Sequence, residues 1–527
     1  MDKMLGVMID CSRNGVMKPD VVKKYADILR KMGYNTLMLY TEDTYEVNNQ
    51  PLFGHLRGRY SKAEMKEMDA YCASIGMELV PCIQTLAHLE NMFKWRTCYG
   101  DINDCDDILL VGAEKTYALI EDMIATVSEC FTSRKIHIGM DEAHRVGTGK
   151  YLDQNGARDR FDVINKHLVR VCEIAEKYGF EPMIWSDMFT KLALKQTSQY
   201  AEVDPAAILG RAALPEKISL VYWDYYSEDV SRYNRMIQTN KLFGRKVIFA
   251  GGAWTWKGFA PDNALSMRVT HAAMEACREQ GVDGVFFTLW GDDGSECSRF
   301  AILPALMYAA EASKGNEDLP SIKEKFRQIV GADFDAFTAL DEFETLGGGH
   351  KGKISKYLLY NDPFMGNRDH LVVGYENAHY ADLAEKLRAL TDKGEYGYIF
   401  DSCEKLALVL SRKAELGVRT RKAYLEKDAA GLRQSADDCG KILEDLREFH
   451  AAFRSLWFRE NKPHGFEVQD AHLGGLMQRI STCRDRLEQY IACEIPRIEE
   501  LEEPVLDVTP AKNQWQSYVS MNNVVQY

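Results

Sequence analysis

The sequence lacks the features that mark secreted and membrane-bound proteins. Its 527 residues contain no run near the ~20 apolar residues of a membrane span. The apolar run Met4–Ile9 is too short for the core of a signal peptide. The 13 cysteines, scattered from Cys11 to Cys493, include no Cys-x-x-Cys pair, as is typical of a reduced protein. We therefore expect a cytoplasmic protein that engages no membrane.

Motifs for nucleic acids, nucleotides and metals are also missing. The chain carries a net charge of −14 and no Lys/Arg-rich run, whereas nucleic-acid binders usually present a basic patch. No Gly-x-Gly-x-x-Gly follows the first predicted strand, and no His-Glu-x-x-His occurs. We expect no nucleic-acid partner and neither a metal nor an organic cofactor.

The first three hundred residues instead alternate between strand-like and helix-like segments. Eight apolar runs have the length of strands, and most are followed by a helical pattern. Continuous apolar runs joined by helical crossovers are typical of parallel strands. The pattern predicts an α/β fold with a TIM (β/α)8 barrel, and a doubly wound open sheet is the alternative. The predicted strands are Leu5–Ile9, Thr36–Tyr40, Glu78–Ile83, Lys135–Met140, Pro182–Trp185, Lys217–Tyr226, Lys246–Ala250 and Gly284–Leu289.

A polar stretch containing Gly and Pro, Ser313–Pro320, predicts a domain boundary. Beyond it the apolar spacing is helical and long, which indicates an all-α C-terminal domain. The predicted organisation is a catalytic barrel over 1–313, a helical domain over 320–500 and a tail over 501–527. The predicted C-terminal helices are Tyr380–Thr391, Ser402–Tyr424, Gly431–Phe453 and Ala471–Glu494.

Acids and tryptophans follow the predicted strands, where a TIM barrel carries its active site. Five of the eight tryptophans fall there, and aromatic rings of this kind stack on the apolar faces of sugars. Any one Trp is more simply a core residue, but the whole set at strand ends favours a sugar-binding rim. The residues are Asp10, Arg13, Glu42, Asp43, Gln84, His88, Asp141, Glu142, Trp185, Asp187, Trp223, Tyr225, Tyr226, Trp254, Trp256, Trp290, Asp292 and Asp293.

One of these strand ends carries a recognisable motif. His137-Ile-Gly-Met-Asp141-Glu142 resembles the H-x-G-x-D-E motif of glycoside hydrolase family 20, the β-N-acetylhexosaminidases. Arg13 resembles the family's substrate-binding Arg, and Trp290-Gly-Asp292 resembles its W-x-E with Asp in place of Glu. Trp457–Pro463 resembles a bacterial branch that has a helical C-terminal domain and lacks the common N-terminal α/β domain.

The resemblance implies a retaining exo-β-N-acetylhexosaminidase that removes terminal β-linked GlcNAc or GalNAc from oligosaccharides or glycoconjugates. In this family the substrate's own acetamide oxygen is the nucleophile. Asp141 would accept the acetamide N–H and stabilise the oxazolinium. Glu142 would protonate the leaving oxygen and then activate water. A homodimer is one assembly that we consider.

The resemblance also implies roles for the surrounding residues. Arg13 would hold the C3 and C4 hydroxyls, and Asp292 would bind the C4 or C6 hydroxyl. Tyr225, or its neighbour Tyr226, would donate to the acetamide carbonyl. The remaining implied residues are Trp185, Trp254 and Trp290 as pocket walls, His137 as an inward-facing support, and Asp43 with His88 as a relay to Glu142, in which Glu42 is the alternative to Asp43.

Three other functions are compatible with parts of the sequence. Asp141-Glu-Ala-His144 spells a helicase box, but the required upstream phosphate loop is missing. A metal enzyme could use His88, His137 and His144, although they lack metal-ligand spacing. A non-catalytic carbohydrate-binding barrel would keep the tryptophans but would not need an acid at position 142, so the intact Asp141-Glu142 pair disfavours it.

Overall fold

Eight parallel strands close into a barrel in the N-terminal part of the chain, which confirms the predicted TIM barrel. The computed structural model describes residues 3–506, except 197, 199, 201–203, 212, 293 and 347–353. The predicted tail, 501–527, lies outside the described residues from 507 onward. The strands are β1 (Met4–Asp10), β2 (Thr36–Thr41), β3 (Glu78–Ile83), β4 (Lys135–His137), β5 (Glu181–Trp185), β6 (Ser219–Trp223), β7 (Lys246–Gly252) and β8 (Gly284–Leu289), joined in sequential order with β8 pairing to β1.

The strands form because their apolar runs are buried on both faces, as parallel strands between helices require. Every residue of β2 is buried. The crossover helices carry clear start and stop signals. Pro19 occupies the first turn of Pro19–Met32, and Gly33, with φ +108°, ends it in a left-handed conformation. Ser61 and Glu64 form a reciprocal capping box at the start of the next helix, Lys62–Ser74.

Further helices surround the strands or follow β8, and a short hairpin is inserted before β4. The hairpin pairs Asn103–Cys105 with Ile108–Leu109. The helices are Glu90–Phe93, Arg96–Tyr99, Gly100–Ile102 (3-10), Glu114–Cys130, Lys150–Asn155, Arg160–Lys177, Asp187–Leu194, Pro205–Leu209, Val230–Lys241, Asn263–Gln280, Leu303–Ala312 and Leu319–Val330.

Strand β4 ends at His137, three residues before the predicted end at Met140. Gly139 and Met140 have φ values of +72° and +71°, which a strand cannot accommodate. On the β3 side the only register pair is Cys82 with His137. Strand β6 is also shorter than predicted and ends at Trp223 rather than at 226.

Side chains replace the missing backbone pairs between β3 and β4. Thr85 Oγ1 donates to the Ile138 carbonyl at 2.7 Å, and Gln84 Oε1 accepts the Met140 N–H at 3.1 Å. On the opposite side the backbone pairing with β5 continues, since the Ile138 N–H donates to the Met183 carbonyl. We call this side-chain-closed stretch, Gln84 and Thr85 against 138–140, the β3–β4 seam.

The chain divides into two compact units. The first comprises 1–254, 264–291 and 305–325, and the second comprises 255–263, 292–304 and 326–527. The bounds 1–313 and 320–500 stay predictions, whereas the helical character predicted for the C-terminal part is confirmed. Its helices are Arg299–Ile302 (3-10), Phe334–Thr338, Ala339–Glu344 (3-10), Ile354–Tyr360, Asp369–Leu371 (3-10), Glu376–Ala389, Gly394–Tyr396 (3-10), Gly397–Lys413, Leu416–Leu425, Ala429–Glu460, Phe466–Ile491 and Glu499–Glu502.

The second unit is built on its two longest helices, Ala429–Glu460 and Phe466–Ile491. Where one helix was predicted over 402–424, two are present with a break near Glu415. The backbone N–H and the carboxylate of Glu415 both bond to Asn377, so a tertiary contact holds this break. Within the ranges that the structure describes, no helix is both long enough and apolar enough to cross a membrane.

Candidate active site

Aromatic side chains form a wall at the carboxyl ends of the barrel strands. Trp185 and Trp290 have ring centroids 6.0 Å apart, and both rings are almost fully buried. The indole N–H of Trp290 donates to the Tyr225 hydroxyl at 3.1 Å, and that of Trp254 donates to the Tyr225 carbonyl at 2.9 Å. Tyr225 is buried while Tyr226 is 54% exposed, so Tyr225 is the tyrosine held within this wall.

The segment after β4 has an unusual backbone. Gly139, Met140 and Glu142 all adopt left-handed φ values, with Glu142 at +50°. A Cβ on Gly139 would lie 2.0 Å from Gln84 Oε1, so this position requires glycine for space as well as for φ. Asp141 and Glu142 therefore project from a strained loop and not from a regular strand. Strain of ~1–3 kcal/mol per residue persists only where neighbouring contacts enforce it.

Asp141 is a buried carboxylate held on both oxygens. Its Oδ1 accepts the Gln84 amide N–H at 2.7 Å, and its Oδ2 lies 3.2 Å from His88 Nε2. Burial alone acts to raise the pKa of Asp141, but the His88 charge, the Gln84 bond and Arg13 outweigh it and lower the pKa to about 2. Asp141 therefore stays ionised at neutral pH.

His88 links the two neighbouring acids. Its Nε2 also lies 3.8 Å from Glu142 Oε2. Burial acts to lower the pKa of His88, but the Asp141 charge outweighs it and raises the pKa to about 9. The Glu142 side chain is 44% exposed, in contrast to the buried Asp141. The site thus pairs one fixed anion with one acid that is open to solvent.

His137 supports the floor of the site as a neutral imidazole. Its Nδ1 accepts the Gly139 N–H at 3.1 Å, which places the ring proton on Nε2. Full burial lowers the pKa of His137 to about 3. The ring packs against Trp185 with centroids 4.5 Å apart.

Arg13 lies at the end of β1 between acids and aromatic rings. Its guanidinium is 3.4 Å from Asp10 Oδ2 and 3.3 Å from Glu42 Oε1. It lies over the Trp290 ring at 4.7 Å and over the Tyr40 ring at 5.1 Å. Burial raises the pKa of Glu42 to about 7, against the lowering effects of Arg13 and His88. A cation in this position can orient sugar hydroxyls beside the aromatic wall.

The two candidate relay acids have different partners. Asp43 is buried and forms an ion pair with Arg57 at 3.3 Å, whereas Glu42 lies 3.3 Å from the Arg13 guanidinium. The relay from Asp43 or Glu42 through His88 to Glu142 stays a prediction. Asp292 belongs to the second compact unit, and its role at the sugar stays a prediction.

Two residues that matter to this geometry appeared only as strand-end residues in the sequence. Gln84 bonds both to Met140 and to Asp141. Asp187, fully buried, accepts the Glu142 N–H at 3.2 Å. Their position directly after β3 and β5 indicates that they lie near the site. Their contacts could not be predicted, because they join residues 45 or more positions apart in the sequence.

Several buried polar atoms near these acids have no hydrogen-bond partner among the described groups. They include His137 Nε2, Trp185 Nε1, Ser186 Oγ and Asp187 Oδ1. Buried polar atoms without partners are rare because each costs ~1–3 kcal/mol. A polar ligand or bound water can satisfy such atoms. Among the described residues, no group of three or more His, Cys, Asp or Glu side chains is placed to hold a metal ion.

Sequence comparison identifies hexosaminidases among the relatives of this chain. Hexosaminidase D of Homo sapiens is 23% identical over 237 residues, which cover 43% of this chain and 46% of the relative. Hexosaminidase D of Bos taurus is 25% identical over 262 residues, 47% of this chain and 69% of the relative. The match thus spans about half of the human relative's length.

Solved structures similar to this chain include two bacterial enzymes. The GH20 exo β-N-acetylglucosaminidase from Vibrio harveyi in complex with N-acetylglucosamine has a TM-score of 0.48 at 15% identity, covering 64% of this chain and 58% of that chain. The Streptomyces plicatus N-acetyl-β-hexosaminidase in complex with Thio-NAglucal has a TM-score of 0.46 at 20% identity, covering 62% and 68%.

Two family models match separate parts of the sequence. The catalytic domain of glycosyl hydrolase family 20 matches residues 4–248. The Glycoside Hydrolase 20C C-terminal domain matches residues 333–520. Since the barrel and the helical region match domains of one family, in chain order, the chain belongs to glycoside hydrolase family 20.

Proposed function

We propose that this protein is a retaining exo-β-N-acetylhexosaminidase that removes terminal β-linked GlcNAc or GalNAc from oligosaccharides or glycoconjugates. Membership of family 20 supports the general activity. The observation that carries the proposal is the pairing of a buried Asp141, whose pKa is lowered by His88 and Gln84, with a solvent-accessible Glu142 beside a tryptophan wall. Substrate-assisted hydrolysis needs one ionised carboxylate to stabilise the oxazolinium and one carboxyl group that can reach the leaving oxygen and water.

In the first step Asp141 accepts the N–H of the substrate's 2-acetamido group. The acetamide oxygen then attacks the anomeric carbon, and the bond to the leaving oxygen breaks. The resulting oxazolinium carries positive charge next to Asp141. A carboxylate with a pKa of about 2 keeps its charge throughout this step. In the free protein His88 pairs with Asp141. We expect this pairing to weaken when the acetamide N–H binds to the same carboxylate.

Glu142 acts on the leaving group. It donates a proton to the glycosidic oxygen as that bond breaks, and the aglycone departs as an alcohol. The resulting carboxylate then removes a proton from water, which attacks the anomeric carbon and opens the oxazolinium ring. Two inversions at one carbon retain the β configuration. The 44% exposure of the Glu142 side chain supports this role, because both aglycone and water must reach it.

The aromatic wall and Arg13 supply substrate binding. Trp185 and Trp290 enclose the acetamide and the apolar face of the sugar ring. The Tyr225 hydroxyl accepts from the Trp290 indole N–H, which fixes it in the aromatic wall, and in this proposal it contacts the acetamide carbonyl. Arg13 donates to ring hydroxyls while its stacking on Trp290 fixes its orientation.

Release of a chromophore from three aryl glycosides tests this function. The β-N-acetylglucosaminide and the β-N-acetylgalactosaminide are expected to react, and the plain β-glucoside is expected to react at least ~100-fold more slowly, because it lacks the nucleophile. Equal turnover of the plain glucoside would refute substrate assistance. Binding of N-acetylhexosamine without turnover of any substrate would favour the non-catalytic carbohydrate-binding barrel instead.

A further inference from the structure

Asp187 occupies a position that a helix-capping role does not explain. It is the first residue of the helix Asp187–Leu194, where acids commonly interact with their own helix. Besides Lys191 of this helix, its Oδ2 contacts a distant group: it accepts the backbone N–H of Glu142, at 3.2 Å and 45 residues away in the chain. The side chain is fully buried, so this bond is shielded from water.

The residue that receives this bond is itself strained. Glu142 has φ +50°, which costs a non-glycine residue ~1–2 kcal/mol relative to the right-handed regions. Such a conformation needs contacts that exclude the alternatives. The Asp187 carboxylate is one such contact, because rotation of the Glu142 backbone would break this bond and leave the buried Oδ2 with only the longer contact to Lys191, at 3.5 Å.

The electrostatic surroundings of Asp187 are unfavourable for a purely structural acid. Burial raises its pKa to about 7, and the charges of Asp141 and Glu142 act in the same direction. Its counter-ion, Lys191, is 3.5 Å from Oδ2, and its Oδ1 has no hydrogen-bond partner among the described groups. A buried acid next to two others lowers stability, and active sites are where such costs are retained.

We propose that Asp187 is a positioning residue, which fixes the backbone of Glu142 so that its carboxyl points at the leaving oxygen. This inference rests on the proposed function and adds to it a residue that touches no substrate. The Asp187 bond holds the backbone of the acid but not the acetamide. Its loss therefore affects proton donation and leaves sugar binding largely intact.

The test compares three single variants with the wild-type protein. Asp187→Ala removes the acceptor, and Asp187→Asn keeps an oxygen that can accept the same N–H without the charge. Ser186→Ala is the matched control, since Ser186 is equally buried and its hydroxyl has no hydrogen-bond partner among the described groups. Substrates are aryl N-acetylhexosaminides with activated and poor phenol leaving groups, and a disaccharide.

Asp187→Ala is expected to lower kcat by ~10- to 100-fold on the disaccharide and by less than ~5-fold on the activated phenol, with KM changed by less than ~3-fold. Asp187→Asn should recover most of the lost kcat, and Ser186→Ala should match the wild type. In a Glu142→Gln background, Asp187→Ala should cost almost nothing more, because both residues serve one proton transfer.

Three results would overturn the inference: a uniform loss on all leaving groups, a rise in KM with kcat unchanged, or full additivity with Glu142→Gln. If Asp187→Ala does not fold, Asp187→Glu takes its place, because the longer side chain displaces the carboxylate, and the same leaving-group dependence is expected. A wild-type protein that is inactive on every N-acetylhexosaminide would refute the proposed function itself.

Discussion

Replacing Asp141 by Asn tests the proposed electrostatic role most directly, since Asn has nearly the same shape and no charge. The structure sets the expected size of the effect. Opposite unit charges ~4 Å apart attract by about 1 kcal/mol in water and by about 4 kcal/mol at the effective dielectric of a protein site. Asp141 is only 7% exposed, so the larger value applies. Part of it is offset because His88 already faces Asp141 at 3.2 Å.

A net loss of about 3–4 kcal/mol in the transition state corresponds to a fall in kcat of ~10²- to 10³-fold. The fall should be similar for activated and poor leaving groups, because cyclisation accompanies every departure. Steady-state kinetics on a series of aryl N-acetylhexosaminides measures both the fall in kcat and its dependence on the leaving group. Asp69→Asn is a suitable control, because Asp69 is also buried and bonds to the Thr132 N–H, away from the strand ends.

Two outcomes would refute this reasoning. A loss below ~10-fold would mean that water screens the site as it screens an exposed charge. A leaving-group dependence steeper for Asp141→Asn than for Glu142→Gln would exchange the roles assigned to the two acids.

Three further predictions follow from the same geometry. Glu142→Gln should lower kcat by ~10²- to 10⁴-fold on oligosaccharides but by only a few fold on glycosides of activated phenols. A plot of log kcat against the pKa of the leaving group measures this difference, and a slope equal to that of the wild type would contradict the acid role. Gly139→Ala should lower the free energy of unfolding by ~2–4 kcal/mol, because its Cβ would lie 2.0 Å from Gln84 Oε1. Gly179→Ala is the control, since Gly179 has a φ of +77° and nothing within 4 Å of its Cβ position, and it should cost only ~1–2 kcal/mol; equal losses in thermal unfolding would disprove the clash. Folding raises the pKa of His88 from 6.5 to about 9, so its ion pair stabilises the fold fully below pH 6.5 and is lost as the pH rises through 9. His88→Gln should therefore lower the free energy of unfolding most near pH 6, by up to about 3 kcal/mol, and by much less at pH 10; a deficit that does not change with pH would rule out the ion pair.

The barrel could be predicted because parallel strands leave a continuous signal. The bounds of Glu78–Ile83 and Gly284–Leu289 agree with the structure residue for residue. The end of β4 could not be predicted in the same way. Ile138 and Met140 continue the apolar pattern of the strand, but the left-handed turn at Gly139 depends on Gln84, more than fifty residues earlier.

In the candidate site too, residues that are adjacent in the sequence could be predicted, whereas contacts between residues far apart in the sequence could not. His137 to Glu142 is a contiguous motif, so its members were predictable as a set. The ion pair of Asp43 with Arg57 was not predictable, because the two residues are separated by a loop of irregular structure. The bond between Asp187 and Glu142 was hidden for a similar reason. A position at a helix start predicts a local contact, such as the one with Lys191, but not a bond to the end of another strand.

The β3–β4 seam has a consequence for amide hydrogen exchange in the barrel. Around most of the barrel, backbone amides are protected from isotope exchange by neighbouring strands, as where Met4 to Ile9 pair with Gly284 to Leu289. At the seam, the described partner of the Met140 amide is the side chain of Gln84. A rotamer change of Gln84 breaks that bond without separating two strands. Deuterium uptake at Met140 should therefore be faster than at the paired amides of Met4 to Ile9, and a ligand that contacts Asp141 should slow it.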